Sequence, residues 1–353
     1  MKLIPNTVFY DISAFMALRK VIFNVHASGR KIFILTDSNT RQFCLPMVME
    51  ELGDLSQHLV SITIAAGENN KHLQTAMEVW EQLSVHQAGR DALLINLGGG
   101  MVTDLGGFVA SVYKRGIETI HVPTTMLAMV DAAIGGKTGV DFMHLKNNLG
   151  TFHGPSWVFV ITKFLETLPS RQYRSGIAEI IKYGFISRPE LLKQDLFNIE
   201  KSALQSIIGR CIDAKTNIVQ ADPEEQGIRK LLNLGHTVGH AFEAMALMKQ
   251  QDLLHGEAVA SGLVCELYIS TRLLSLDTEV LDHYIGLWQS AFLRYPVAEE
   301  DDAELMNLML QDKKNRAGKL LFTLISAPGN AVFDIPVGQE LIEESLQFYR
   351  SLF

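Results

Sequence analysis

Three histidines stand in residues 231–257, LLNLGHTVGHAFEAMALMKQQDLLHGE, a stretch too apolar to need them for solubility. His236 and His240 are four apart, so on a helix both rings leave one face, one turn from each other. His255 follows a polar break at residues 249–252 and could fold back toward them. Imidazole is the commonest protein ligand of catalytic zinc, which typically takes three protein ligands and keeps one position open. The bland alternative is a pair of helix histidines hydrogen-bonded to neighbours. This segment alone does not decide between them.

Glu179 and Lys182 lie in GIAEIIKYG, residues 176–184, three apart on an apolar helical pattern and therefore on one face. Buried charges must be paired or coordinated. A structural ion pair explains the two, and Glu179 would equally complete a His2Glu metal site. Lys215 and Arg229 flank an acidic break at residues 222–227. On one continuous helix Arg229, Asn233, His236 and His240 form a polar stripe along a leucine-rich segment.

A second set of polar groups occupies residues 123–148, PTTMLAMVDAAIGGKTGVDFMHLKNN. Thr124, Thr125, Asp131, Lys137, Lys146 and Asn147 alternate there with small apolar residues and a glycine pair, which suits the wall of a ligand site better than a solvated loop. Upstream, Gly98, Gly99 and Gly100 follow a strand pattern and precede a helix beginning around Thr103 and Asp104. Glycines so placed let backbone N–H groups approach a phosphate pair at a helix N-terminus. The run does not match the GxGxxG dinucleotide fingerprint, and a tight strand-to-helix turn would also explain it. Asp37, ending the first strand pattern, suits either a ribose hydroxyl or a helix cap.

The elements that would position these groups change character midway. Residues 31–37, 60–65, 92–97, 118–122 and 157–161 read as buried strands, with helical spacing at 41–52, 71–85 and 105–113 between them. The expectation is an α/β N-terminal domain, residues 1–163, with a mainly parallel nucleotide-binding sheet covered by helices. Residues 164–353 read as an all-α domain, apart from a small hairpin at 319–325 and 331–335. The two halves are expected to meet in a cleft, a common place for a ligand.

Composition narrows the class. With 353 residues, 47% hydrophobic and 20% charged, the chain describes an ordinary globular protein. A net charge of −8 argues against a nucleic-acid partner. No apolar run spans a membrane and no signal peptide opens the chain, so a cytoplasmic protein follows by default. Cys44, Cys211 and Cys265 form no CxxC pair and read as reduced core residues. If the scattered lysines and arginines gather in one place, they would suit a small polyanion.

Taken in order, these segments resemble the 3-dehydroquinate synthase family of sugar-phosphate cyclases. The resemblance rests on GGGMVTDLGGFVASVYKRG, VPTTMLAMVDAAIGGKTGVD, KNNLGTFHGP, FLETLPSRQYRSGIAEIIKYG, LHGEAVA and DKKNRAGK, with weaker agreement at TDSN and GENNK. It implies bound NAD and a divalent metal, zinc or cobalt, on Glu179, His236 and His255. It implies NAD contacts at Asp37, Glu68, Lys71, Gly99, Gly100, Asp104, Thr124, Thr125, Phe164, Thr167 and Leu168. Catalytic groups would be Lys137, Lys182, Arg229, Asn233 and His240. Arg115, Asp131, Lys146, Asn147, Lys215 and one of Lys313 and Lys314 would bind a small sugar phosphate. Homodimerisation is left open. Thr103, Ala132, Ala133 and Gln172 depart from residues frequent in the family, and none removes an implied ligand. Three readings compete. Another cyclase would differ at the carboxylate-binding groups, for which Arg229 and Asn233 are the candidates; a metal-dependent polyol dehydrogenase would release NADH; a binding protein that kept the fold would turn nothing over.

Overall fold

A computed structural model describes residues 3–143, 145–311 and 320–353, so Lys313 and Lys314 lie outside the described residues. The chain divides into two compact units, Met1–Tyr173 with Leu204–Thr216, and Arg174–Ala203 with Asn217–Phe353. Among the described residues no helix is long and apolar enough to cross a membrane.

The first unit begins with β1 (Thr7–Tyr10), α1 (Asp11–Ala27), β2 (Ile32–Asp37), α2 (Ser38–Phe43), α3 (Leu45–Leu52), β3 (Leu59–Ile64) and α4 (Leu73–Val85). It continues through β4 (Leu93–Gly98), α5 (Gly100–Val112), β5 (Glu118–Pro123), β6 (Lys137–Phe142), β7 (Leu145–Phe152) and β8 (Trp157–Val160). Six strands form one parallel sheet in the order β1-β8-β5-β4-β2-β3. β4 is buried along its whole length, as its unbroken LLINLG run requires of a strand covered on both faces. The chain steps outward from β2 to β3, crosses back to β4 and continues outward on the other side, so the order reverses between β2 and β4. Ligands of open α/β sheets bind beyond the carboxyl ends of the strands at such a reversal. Asp37 and Gly98 are the last residues of the two strands that flank it.

One local expectation is corrected and another is filled in. The helical pattern at 41–52 is two helices, because Pro46 fits only a first turn and the chain restarts α3 around it. Residues 123–148, expected only to line a ligand and given no elements from sequence, form a π-helical turn, Ala128–Ala132, followed by most of the antiparallel β6–β7 hairpin.

The second unit contains α6 (Ser170–Ile186) from Arg174 onward, α7 (Lys201–Ala221) outside Leu204–Thr216, α8 (His236–Met248), α9 (His255–Leu274), α10 (Thr278–Ala291), α11 (Asp302–Gln311), the antiparallel hairpin β9 (Leu321–Ala327) and β10 (Asn330–Pro336), and α12 (Gln339–Arg350). α9 is buried on all sides over most of its length and forms the core. Its neighbours bring polar tips that find partners: Tyr284 Oη donates to Ala260 O at 2.7 Å, and Trp288 Nε1 to Ser261 Oγ at 3.3 Å. Cys44, Cys211 and Cys265 are buried, and no disulfide joins any of them.

The expected continuous helix through Arg229 and His240 is also corrected. Residues Ile228–Asn233 form a 3-10 turn, and Gly235, at φ 78°, breaks the chain before α8 starts at His236. Arg229 and Asn233 therefore leave a separate turn, not the helix face that carries the histidines.

Candidate active site

In the first unit the glycine run caps α5. Gly99 is the residue before the helix, and a Cβ on it would lie 2.9 Å from Thr125 Cγ2. A Cβ on Gly98 would lie 2.5 Å from Val102. Close approach, not unusual φ, explains the glycines. Thr124 donates its N–H to Gly98 O at 3.0 Å, while its buried hydroxyl has no hydrogen-bond partner among the described residues. A backbone cradle at a helix N-terminus beside an unsatisfied hydroxyl fits a diphosphate such as that of NAD. Asp37 is a cap here, accepting the Thr40 N–H at 2.7 Å. Phe164 and Thr167 sit in the 3-10 turn Thr162–Thr167 and Leu168 just after it, all beyond the carboxyl end of β8.

Beside the cradle runs a chain of alternating charges. The Lys71 ammonium donates to Asp104 at 2.6 Å and lies 3.6 Å from Glu68, whose carboxylate accepts from Lys146 at 3.0 Å. Burial opposes the Lys71 charge, but Asp104 foremost, then Glu68 and Asp141, outweigh it and raise its pKa. Asp141 lies 3.5 Å from Lys146 and accepts the Asn147 N–H at 2.8 Å. Sequence reasoning missed Asp141, whose place opposite Lys146 and Asn147 follows from the β6–β7 hairpin that the sequence did not display. Lys215 donates to Asp131 O at 2.7 Å and pairs with its carboxylate at 3.0 Å. Lys137 is exposed at the start of β6.

Arg115 is not brought to this group. It follows α5, which runs back about 20 Å from the carboxyl to the amino end of the sheet. It stands there on a left-handed turn at φ 65°.

The second unit holds the metal candidates. Glu179 on α6, His236 at the start of α8 and His255 at the start of α9 offer ligand atoms that all lie within 4.8 Å of one another. His236 Nε2 is 3.5 Å and His255 Nε2 3.6 Å from Glu179 Oε1. Lys182 forms an ion pair with the same carboxylate. Burial opposes the Glu179 charge, yet Lys182 and His255 hold its carboxyl well below the usual range. Both of its oxygens are buried, and despite the ion pair neither makes a hydrogen bond of ordinary geometry. A desolvated carboxylate facing two imidazoles is a donor set that a divalent ion satisfies. His240, one turn after His236, groups instead with Glu243 and His255.

Glycines let these three helices meet. A Cβ on Gly256 would lie 1.8 Å from Ser175 O, and one on Gly262 2.2 Å from Gly235 O, so side chains at either place would drive α9 away from α6 or α8. Glu266, buried on α9, accepts the N–H groups of Gly235, Thr237 and Val238 at 2.5, 2.9 and 3.2 Å and so fixes the N-terminus from which His236 projects. Neither Glu266 nor Glu243 was found from sequence; Glu243 had a signal, being three residues after His240 on the same face, and Glu266 had none. In the preceding turn Arg229 is held by Pro223 O at 2.6 Å and Asn233 donates to Glu225 at 3.2 Å.

Known proteins with these features agree in kind. The family model for the 3-dehydroquinate synthase N-terminal region matches residues 61–175, and that for the C-terminal region matches residues 176–315. A 3-dehydroquinate synthase of Parabacteroides distasonis is 44% identical over 330 residues, 92% of each chain. The 2-epi-5-epi-valiolone synthase of Streptomyces hygroscopicus subsp. jinggangensis, solved with NAD+ and Zn2+, aligns with TM-score 0.82 at 27% identity, covering 99% of this chain and 98% of that one. A 2-deoxy-scyllo-inosose synthase, solved with carbaglucose-6-phosphate, NAD+ and Co2+, shares the fold at TM-score 0.82 and 24% identity, over 99% of both chains.

Proposed function

The chain belongs to the 3-dehydroquinate synthase family, and on that premise we propose how its residues convert 3-deoxy-D-arabino-heptulosonate 7-phosphate to 3-dehydroquinate and phosphate. The enzyme is a carbon–oxygen lyase of the shikimate route to aromatic amino acids, working with NAD and a divalent metal. The observation that carries the reading is the convergence of the His236 and His255 imidazoles on the buried Glu179 carboxylate, whose oxygens make no hydrogen bond of ordinary geometry.

Labour divides between the units. Gly99 and Gly100 cradle the NAD diphosphate, with Thr124 and Thr125 beside it and Asp37, Glu68, Lys71, Asp104, Phe164, Thr167 and Leu168 completing its surroundings. Glu179, His236 and His255 hold zinc or cobalt. In these places NAD would supply reversible hydride chemistry and the metal Lewis acidity that lowers the pKa of a substrate hydroxyl. Lys182, Arg229 and Asn233 are held in place before substrate arrives, Arg229 by Pro223 and Asn233 by Glu225, so they meet the substrate carboxylate at little ordering cost. His240 is the proton-moving imidazole on α8. Lys137, Lys146, Asn147, Asp131 and Lys215 serve the phosphate end, whereas Arg115, at the amino end of the sheet, is left out of this arrangement.

Because NAD ends each turnover as it began, phosphate loss proceeds without net oxidation. Substrate deuterated at the ring carbon whose hydroxyl is oxidised should yield dehydroquinate with the label restored. Stoichiometric label in NADH would replace the cyclase with a dehydrogenase.

A further inference from the structure

We propose that Glu243 is a positioning residue for the metal centre, whose carboxylate fixes the tautomer and orientation of His255. The proposal rests on Glu179, His236 and His255 being the metal ligands. An imidazole that ligates through one nitrogen needs the proton on the other, and a hydrogen-bond acceptor at that second nitrogen selects the tautomer. His236 has such an acceptor in its own backbone, Leu234 O at 3.0 Å from Nδ1. His255 has none from the backbone among its described bonds. Its Nδ1 lies 3.2 Å from Glu243 Oε2 instead, which leaves Nε2 facing Glu179.

Of the three ligand side chains His255 is the most exposed, at 31% against 10% for His236 and 0% for Glu179. His236 also begins its helix, so the difference lies in exposure: packing restrains the His255 ring least, and an outside hold matters most there. Glu243 is itself buried, and a buried carboxylate is retained where a partner satisfies it. His240, Glu243 and His255 also form a group that could take an ion directly. Glu179 is the better ligand because it is the acid whose buried oxygens lack hydrogen bonds, whereas Glu243 already has His255.

The test is zinc titration of chelator-stripped protein against a chromophoric competitor, for wild type, Glu243→Gln, Glu243→Ala and His255→Ala, with melting of each apoprotein and the Co2+ absorption spectrum. Glu243→Ala should weaken zinc binding by about 10- to 100-fold. Glu243→Gln keeps an acceptor oxygen at the same place and should lose less, about three- to tenfold, with the Co2+ spectrum unchanged in shape. If Glu243→Ala melts early, the glutamine variant alone decides. Zinc affinity within about twofold of wild type in Glu243→Gln and Glu243→Ala would overturn the proposal. Loss in Glu243→Gln as complete as in His255→Ala, with an altered Co2+ spectrum, would overturn it by making Glu243 a ligand. Wild type that binds no zinc would instead sink the metal reading beneath it.

Discussion

At the residue scale, the chemistry depends on which histidines share an ion, and spacing by itself pointed the wrong way. HxxxH invites a pairing of His236 with His240, yet the atoms that converge belong to Glu179, His236 and His255. What made Glu179 legible was its company: a carboxylate and an ammonium among isoleucines demand an explanation, and the Glu179–Lys182 ion pair supplies part of it. Glu266 left no trace in the sequence, and Glu243 only its spacing from His240, because their meaning lies in partners 31 and 12 residues away, contacts that only packing of α8 on α9 creates. His255→Ala is expected to abolish zinc binding and turnover while the apoprotein keeps its circular dichroism; retained zinc affinity would remove His255 from the site. Lys137→Ala removes an exposed cation assigned to the phosphate end of the substrate, so KM for the sugar phosphate should rise by about 10- to 100-fold, the worth of one charged hydrogen bond, with zinc affinity untouched. An unchanged KM would count against that role.

At the scale of elements, the sequence displayed five of the sheet's six strands, since strands buried on both faces, such as β2 and β4, are written as unbroken apolar runs, and it missed β1, a short edge strand that is only partly buried. It hid the β6–β7 hairpin, whose residues alternate glycine, threonine and charge, and it hid the break at Gly235 because the hydrophobic spacing runs on across it. The glycines of α9 are the elements' joints. Gly262→Ala should destabilise the protein by about 1–3 kcal/mol through overpacking against Gly235 O. Gly286 on α10 has no atom within 4 Å of where its Cβ would lie, so Gly286→Ala should be stabilising by about 0.5–1 kcal/mol. Urea midpoints check both, and equal effects would dismiss the close-contact explanation.

At the scale of the whole molecule, fold class and family were legible because long motifs occur in the right order. The participation of Leu204–Thr216 in the first unit was not, since a helix stretch carries no mark of the unit it joins. One core group contributes to acid sensitivity in the mildly acid range. His121 on β5 is buried, its Nδ1 lies 3.2 Å from Ala133 O, and its Nε2 has no hydrogen-bond partner among the described residues. Burial, with a smaller contribution from His153, lowers its pKa from 6.5 to about 4. The unfolded chain therefore takes up this proton first. Stability from the neutral ring is fully present above pH 6.5 and is lost as pH falls toward 4, on the order of 3 kcal/mol in all. Denaturant unfolding of wild type and His121→Asn across that window should give curves that converge at low pH; parallel curves would refute the assignment.

The most direct measurement of the central claim is phosphate release from 3-deoxy-D-arabino-heptulosonate 7-phosphate, with added zinc and catalytic NAD, while the NADH absorbance band is followed. The account predicts phosphate and dehydroquinate in equal amounts, abolished by a chelator, without net NADH. No release from protein shown to hold zinc and NAD would contradict the substrate, and NADH accumulating with turnover would contradict the cyclase itself.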